Sequence, residues 1–194
     1  MKKYFTEFFS HQNDCIAELD EQYEILKSII DVLQKAQKNG KTIFAFGNGG
    51  SGSTASHFVS DLLKTAITKD AKRFAAISLV DNIPVNLAWS NDQSFDSIFI
   101  EQLKNFLKKN DVVFAFSGSG KSKNVIQAIK YAKKNNATCI GFTGMGGGEL
   151  KKICDLCIII PSFDMLTIES THLIICHCII DFIRKSGKPL FKYD

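Results

Sequence analysis

One local pattern is written twice in this chain and limits what it can fold into. Phe44-Ala45-Phe46 runs into the loop "GNGGSGS" (47–53), and Phe114-Ala115-Phe116 runs into "SGSGKS" (117–122). An apolar run without polar alternation suits a strand buried on both faces. Such runs recur at 42–46, 74–80, 112–116, 138–142 and 156–160, with helical stretches expected near 53–66, 82–90, 95–108, 122–135 and 147–153. A closing helix is expected over roughly 165–185. Strand and helix in strict alternation imply a parallel sheet wrapped on both sides. The predicted class is therefore α/β: a five-stranded parallel sheet in a three-layer sandwich. Ahead of it, Ile16, Leu19, Tyr23, Leu26, Ile30 and Leu33 recur at helical spacing and predict a long N-terminal helix over 11–39. At 194 residues the chain suits one domain, with a helical region at 1–39 and an α/β core at 40–194.

Parallel sheets bind ligands beyond the carboxyl ends of their strands, and both small-residue loops leave there. Glycine lets a ligand approach the backbone, serine adds hydroxyls, and the next helix aims free N–H groups back at the loop. That combination suits a phosphate carried by a small organic molecule. The plainer reading, two tight turns with serine caps, explains one such loop more easily than two. Neither loop is a nucleotide P-loop, because Ala115 stands where that motif needs its first glycine.

Composition narrows the partners. The net charge is only +4, with lysines spread along the helical stretches, so no nucleic-acid partner is expected. The longest apolar stretch, "LIICHCIIDFI" (173–183), reads as too short and too polar to span a bilayer, and no targeting segment is visible. The six cysteines fall mostly in apolar segments and read as reduced core residues of a cytoplasmic protein. "CDLC" (154–157) has no second pair to complete a metal site.

The chemistry-bearing side chains lie on two helical stretches. His57 and Asp61 are four residues apart and share a helix face; Glu169 and His177, eight apart, share another, with His172 between them. Two histidines and two carboxylates can bind a divalent metal or serve as an acid–base pair. A surface or capping interaction is the plain alternative for His57 and Asp61. A buried Glu169 and a buried His172 would need polar partners.

Taken together, "GNGGS", the His–x3–acid helix, "SGSGKS", "GFTGMGGG" and the closing acid–x7–His helix resemble the phosphoheptose isomerases. "NDQSFDSIF" (91–99) matches a segment of that family too. These are sugar-isomerase (SIS) domain enzymes with a flavodoxin-like sandwich. The resemblance implies interconversion of sedoheptulose 7-phosphate and D-glycero-D-manno-heptose 7-phosphate through an enediol. It implies substrate contacts at Asn48, Gly49, Gly50, Ser51, Asn91, Asp92, Ser117, Gly118, Ser119, Ser122 and Glu169. It further implies zinc at His57, Asp61, Glu169 and His177, with Asp61 and His177 as the catalytic pair. A homotetramer is implied, and we expect Phe5, Phe8 and Phe9 in a subunit interface.

The same resemblance exposes differences. Asp61 replaces a glutamate, Glu169 a glutamine, Thr65 an arginine and Gly118 a threonine; Leu166 and Asn82 replace acids. These changes leave two alternatives: an SIS isomerase for another sugar phosphate, and a non-catalytic protein that binds sugar phosphates.

Overall fold

A computed structural model describes residues 1–191. Its sheet has five parallel strands: β1 (Thr42–Gly47), β2 (Ala75–Ser78), β3 (Val112–Phe116), β4 (Thr138–Thr143) and β5 (Leu156–Ile159). Their spatial order is β2-β1-β3-β4-β5, with every pairing parallel. The chain therefore reverses direction of travel between β1 and β3, and a crevice opens there beyond the strand ends.

The two Phe-Ala-Phe segments lie side by side but one residue out of step. Ala45 pairs with Phe114, and Phe46 with Ala115. Because side chains alternate across a strand, the offset sends each pair of phenylalanines to a different face. Phe44 and Phe46 pack with Ile98, Phe99, Val125 and Ile129 on one side. Phe114 and Phe116 pack with Phe58, Ile168 and Ile175 on the other. The repeated segment thus supplies a core to both helical layers.

One layer holds α5 (Ile100–Phe106), α6 (Lys123–Lys134) and α7 (Leu150–Ile153); α4 (Ile83–Asp92) buries none of its residues. The opposite layer holds α2 (Tyr23–Asn39), α3 (Gly49–Leu63) and α8 (Met165–Lys185). The N-terminal helix starts earlier than its apolar spacing predicts, as α1 (Lys2–Ala17), and reaches α2 through a 3-10 turn at Glu18–Gln22. Gln22 in that turn exchanges two hydrogen bonds with the backbone of Ile159, at 2.8 and 2.9 Å, and covers the edge strand β5.

Several boundaries differ from expectation for local reasons. β2, an edge strand, is shorter than 74–80. The helix expected at 95–108 is a 3-10 turn at Phe95–Ser97 followed by α5. The helix expected from 147 begins at Leu150, because Gly146, Gly147 and Gly148 all have positive φ.

α8 corrects the reading of the apolar 173–183 stretch. It is 21 residues long and, by length and composition alone, apolar enough to cross a membrane. Ile168, Ile175, Cys176, Ile179, Ile180 and Ile183 instead pack into the core against α2 and α3. The cysteines are all free thiols, and Cys15, Cys139 and Cys176 are buried as expected. Cys154 and Cys157 are half-buried and Cys178 is exposed, because α8 turns that position outward. Burial pushes the Cys139 thiol up to about 12.

Candidate active site

The first glycine-rich segment is less a loop than a helix start. α3 begins at Gly49, four residues before the expected helix, so Gly49, Gly50 and Ser51 form its first turn after an extended Asn48. That first turn follows directly on the carboxyl end of β1, where a helix start offers backbone N–H groups to an anion. The second segment remains a loop that turns into α6, whose cap is Ser122. Ser117 and Ser122 lie with their hydroxyls 3.2 Å apart, and the Lys121 N–H donates to Ser119 Oγ at 3.2 Å.

Asn48, Ser51, Phe116, Ser117, Gly118, Ser119, Ser122, Met165 and Glu169 together line one cavity of about 190 Å³. The two segments therefore do meet. Asn48 and Asn124 clamp them: each amide donates to the other's oxygen, at 3.0 and 2.8 Å, and Asn124 Oδ1 also accepts from the Val125 N–H. Asn124 is 1% exposed and was not singled out from the sequence, where it stands as one polar residue in a polar helix start.

Glu169 enters this cavity from α8. Its Oε1 accepts from the Ser51 N–H at 3.1 Å. The carboxylate lies so close to Gly50 that a β-carbon there would displace it. Gly118 is similarly crowded, by the Met165 thioether, which fills the space a larger residue would need.

A second cluster sits on the seam between α3 and α8. His57 Nε2 and His177 Nε2 face each other at 3.1 Å, and Asp61 Oδ2 lies 3.4 and 3.7 Å from them. Thr65 Oγ1 donates to Asp61 Oδ1 at 2.8 Å, which orients the carboxylate. The two histidines are about half exposed and Asp61 is mostly covered. Two imidazole lone pairs repel at this distance unless a proton or a cation lies between them. Two nitrogens and a carboxylate oxygen within 4.8 Å of one another are a donor set that suits zinc. His57 also lines a larger cavity of about 720 Å³ with Asn48, Ser53, Ser56, Ser60, Asp81 and Asn86. Asn48 is thus common to both cavities.

Four residues singled out in the sequence sit elsewhere. Glu169 is on Ser51 rather than with His57, Asp61 and His177. Asn91 and Asp92 are exposed at the end of α4, where Asn91 Nδ2 donates to Asp92 Oδ1 at 2.8 Å, and they line neither cavity. His172 does not pair with Glu169. It is fully buried, 3.2 Å from the Thr143 carbonyl, and desolvation pushes its pKa down to about 4.

Residues 7–144 match the family model of the SIS domain. The phosphoheptose isomerase of Clostridium acetobutylicum is 37% identical over 167 residues, covering 86% of this chain and 85% of that one. That of Campylobacter jejuni is 36% identical over 84% of this chain and 89% of its own length. The solved phosphoheptose isomerase of Neisseria gonorrhoeae superposes with a TM-score of 0.88 at 26% identity, over 95% of this chain and 98% of that one.

Proposed function

This chain belongs to the phosphoheptose isomerase family of SIS-domain proteins, and from that premise we propose that it is a ketose–aldose isomerase converting sedoheptulose 7-phosphate to D-glycero-D-manno-heptose 7-phosphate. The observation that carries this reading is the convergence of His57, Asp61 and His177, with His57 lining a cavity that shares Asn48 with the one where the two small-residue segments meet. Ser51 and His57 are six residues apart on α3, about 9 Å along the helix axis. An extended seven-carbon chain holds its phosphate about 8–9 Å from the C1–C2 end, given bonds near 1.5 Å.

In this reading the Ser51 N–H and the hydroxyls of Ser117, Ser119 and Ser122 hold the phosphate, with Asn48 and Asn124 keeping the two segments together. Asp61, oriented by Thr65, takes a proton from C1 while the C2 carbonyl oxygen gains one from His177. The result is a 1,2-enediol. Asp61 then returns its proton to C2, and His177 recovers one from the C1 hydroxyl, leaving an aldehyde at C1. His57, Asp61 and His177 are the groups that would hold a zinc ion, which when bound polarises the sugar carbonyl. Glu169 joins that set only if its carboxylate leaves Ser51.

The assembly proposed is a homotetramer. Tyr4, Phe5 and Phe9 are at least half exposed on α1, and a monomer would leave these rings in water. Burial of Phe5 and Phe9 between subunits accounts for them; sedimentation of F5D/F9D as a smaller species than the parent would support it, and a monomeric parent would refute it.

The activity is tested by incubating purified protein and added zinc with sedoheptulose 7-phosphate and following the aldose heptose 7-phosphate by phosphorus and proton NMR. Conversion that is lost on chelation and restored by zinc is expected. Binding of the sugar phosphate without conversion would favour a different substrate or a non-catalytic role.

A further inference from the structure

The cavity assigned to the phosphate holds a feature that works against a phosphate. Ser51, Ser117, Ser119, Ser122 and Asn48 line it with neutral donors, and the sole charged side chain among its lining residues is negative: Glu169. No lysine or arginine lines it to offset that charge. The carboxylate is also not at the margin. Its Oε1 accepts the hydrogen bond of the Ser51 N–H, an amide of the first turn of α3, and it presses against Gly50. An anion is thus already seated at the helix start that would receive the ligand's anion.

We propose that Glu169 is an internal competitor for the phosphate, a specificity-determining residue that lowers the affinity of the cradle for anions until its carboxylate swings off Ser51. The inference rests on the reading of this cavity as the phosphate site. Two anions within a cavity of about 190 Å³ repel strongly, because few water molecules fit between them. A ligand therefore either displaces Glu169 and gains the Ser51 N–H, or binds the serines of the second loop alone. Only a ligand with enough further contacts to offset the loss of the Glu169–Ser51 bond occupies the full cradle. Small bare anions are rejected, and phosphate esters with a polyol chain are favoured over them.

The test uses inorganic phosphate as the probe, titrated into the full-length protein by calorimetry, with the Ser51 amide resonance followed by NMR. Glu169→Gln keeps the side-chain shape and an oxygen for Ser51 but removes the charge. It is expected to bind phosphate about tenfold more tightly than the parent, or better. Glu169→Asp keeps the charge and is expected to stay within about threefold of the parent. In the parent, phosphate should leave the Ser51 amide resonance in place, because that N–H keeps Glu169 as its acceptor, whereas in Glu169→Gln it should shift. Equal or weaker phosphate binding in Glu169→Gln, or equal tightening in Glu169→Asp, would overturn the competitor role while leaving the cradle in place. Absence of phosphate binding in all three proteins would instead overturn the cradle reading, and the inference with it.

Discussion

His172 makes the acid stability of this fold a direct test of how α8 is packed. The ring is 0% exposed and sits edge-on to Phe116 and Phe142, with centroids 6.1 and 5.8 Å away. Its Nε2 lies 3.2 Å from the Thr143 carbonyl oxygen, so Nε2 carries the proton and donates it. Nδ1 is left buried without a partner. Charging this ring would place a cation in an apolar pocket, which is why burial holds its pKa down to about 4. An unfolded histidine titrates near 6.5. The folded state therefore binds the proton less well than the unfolded one, and the associated stability is complete above pH 6.5 and lost as the pH falls toward 4. With those two values, folding should weaken by about 2 kcal/mol between pH 7 and pH 5 from this residue alone. Glutamine at 172 can still donate to Thr143 but does not titrate. Urea unfolding of parent and H172Q, followed by circular dichroism at one fixed protein concentration, isolates the term because all other groups are shared. The parent should lose about 2 kcal/mol more than H172Q over that range. Parallel losses in the two proteins would refute the buried, neutral assignment.

Two further predictions concern the site. Thr65→Val removes the hydroxyl that orients Asp61 and should lower kcat about tenfold with little change in KM, since a misplaced base costs turnover rather than binding; an unchanged kcat in steady-state assays would contradict the orienting role. Asn124→Ala leaves Asn48 without its reciprocal partner and should cost about 1–3 kcal/mol of stability while raising KM for the sugar phosphate, as read by urea titration and initial rates.

The architecture was legible because its signals are local. Continuous apolar runs mark doubly buried strands, and residues 42–46 and 112–116 became the central pair β1 and β3. Boundaries were less legible where backbone conformation competes with composition. Gly49 and Gly50 read as loop residues, yet they open α3: Gly49 takes a positive φ that favours glycine, and the carboxylate of Glu169, 118 residues beyond Ser51, lies where a Gly50 side chain would go. The 173–183 run reads as too short for a span, because Thr167, Thr171 and His172 hide the apolar continuity of α8 in sequence; in the fold Thr167 Oγ1 accepts from Gln12, Thr171 donates to the Thr167 carbonyl and His172 Nε2 meets the Thr143 carbonyl.

Within the site, helical spacing brought His57 to Asp61 and put His177 on the face of α8 that meets them. Glu169 shares that face of α8 by spacing, yet its carboxylate bonds Ser51, since a face shared over two turns does not fix where a flexible side chain ends. The Asn48–Asn124 clamp was only half visible in the sequence: Asn48 lies in the first glycine-rich motif, but its partner stands 76 positions away as one polar residue among several at a helix start.

Proton transfer at carbon is the step proposed for Asp61 and His177, and solvent exchange reads it directly. Sedoheptulose 7-phosphate should be incubated with the protein in deuterated water, and deuterium at C1 of the ketose and C2 of the aldose followed by proton NMR. Deuterium at both carbons is expected with the parent protein, and a loss of about a hundredfold or more in rate with Asp61→Asn and with His177→Ala. Exchange that persists at the parent rate in either variant would contradict that assignment.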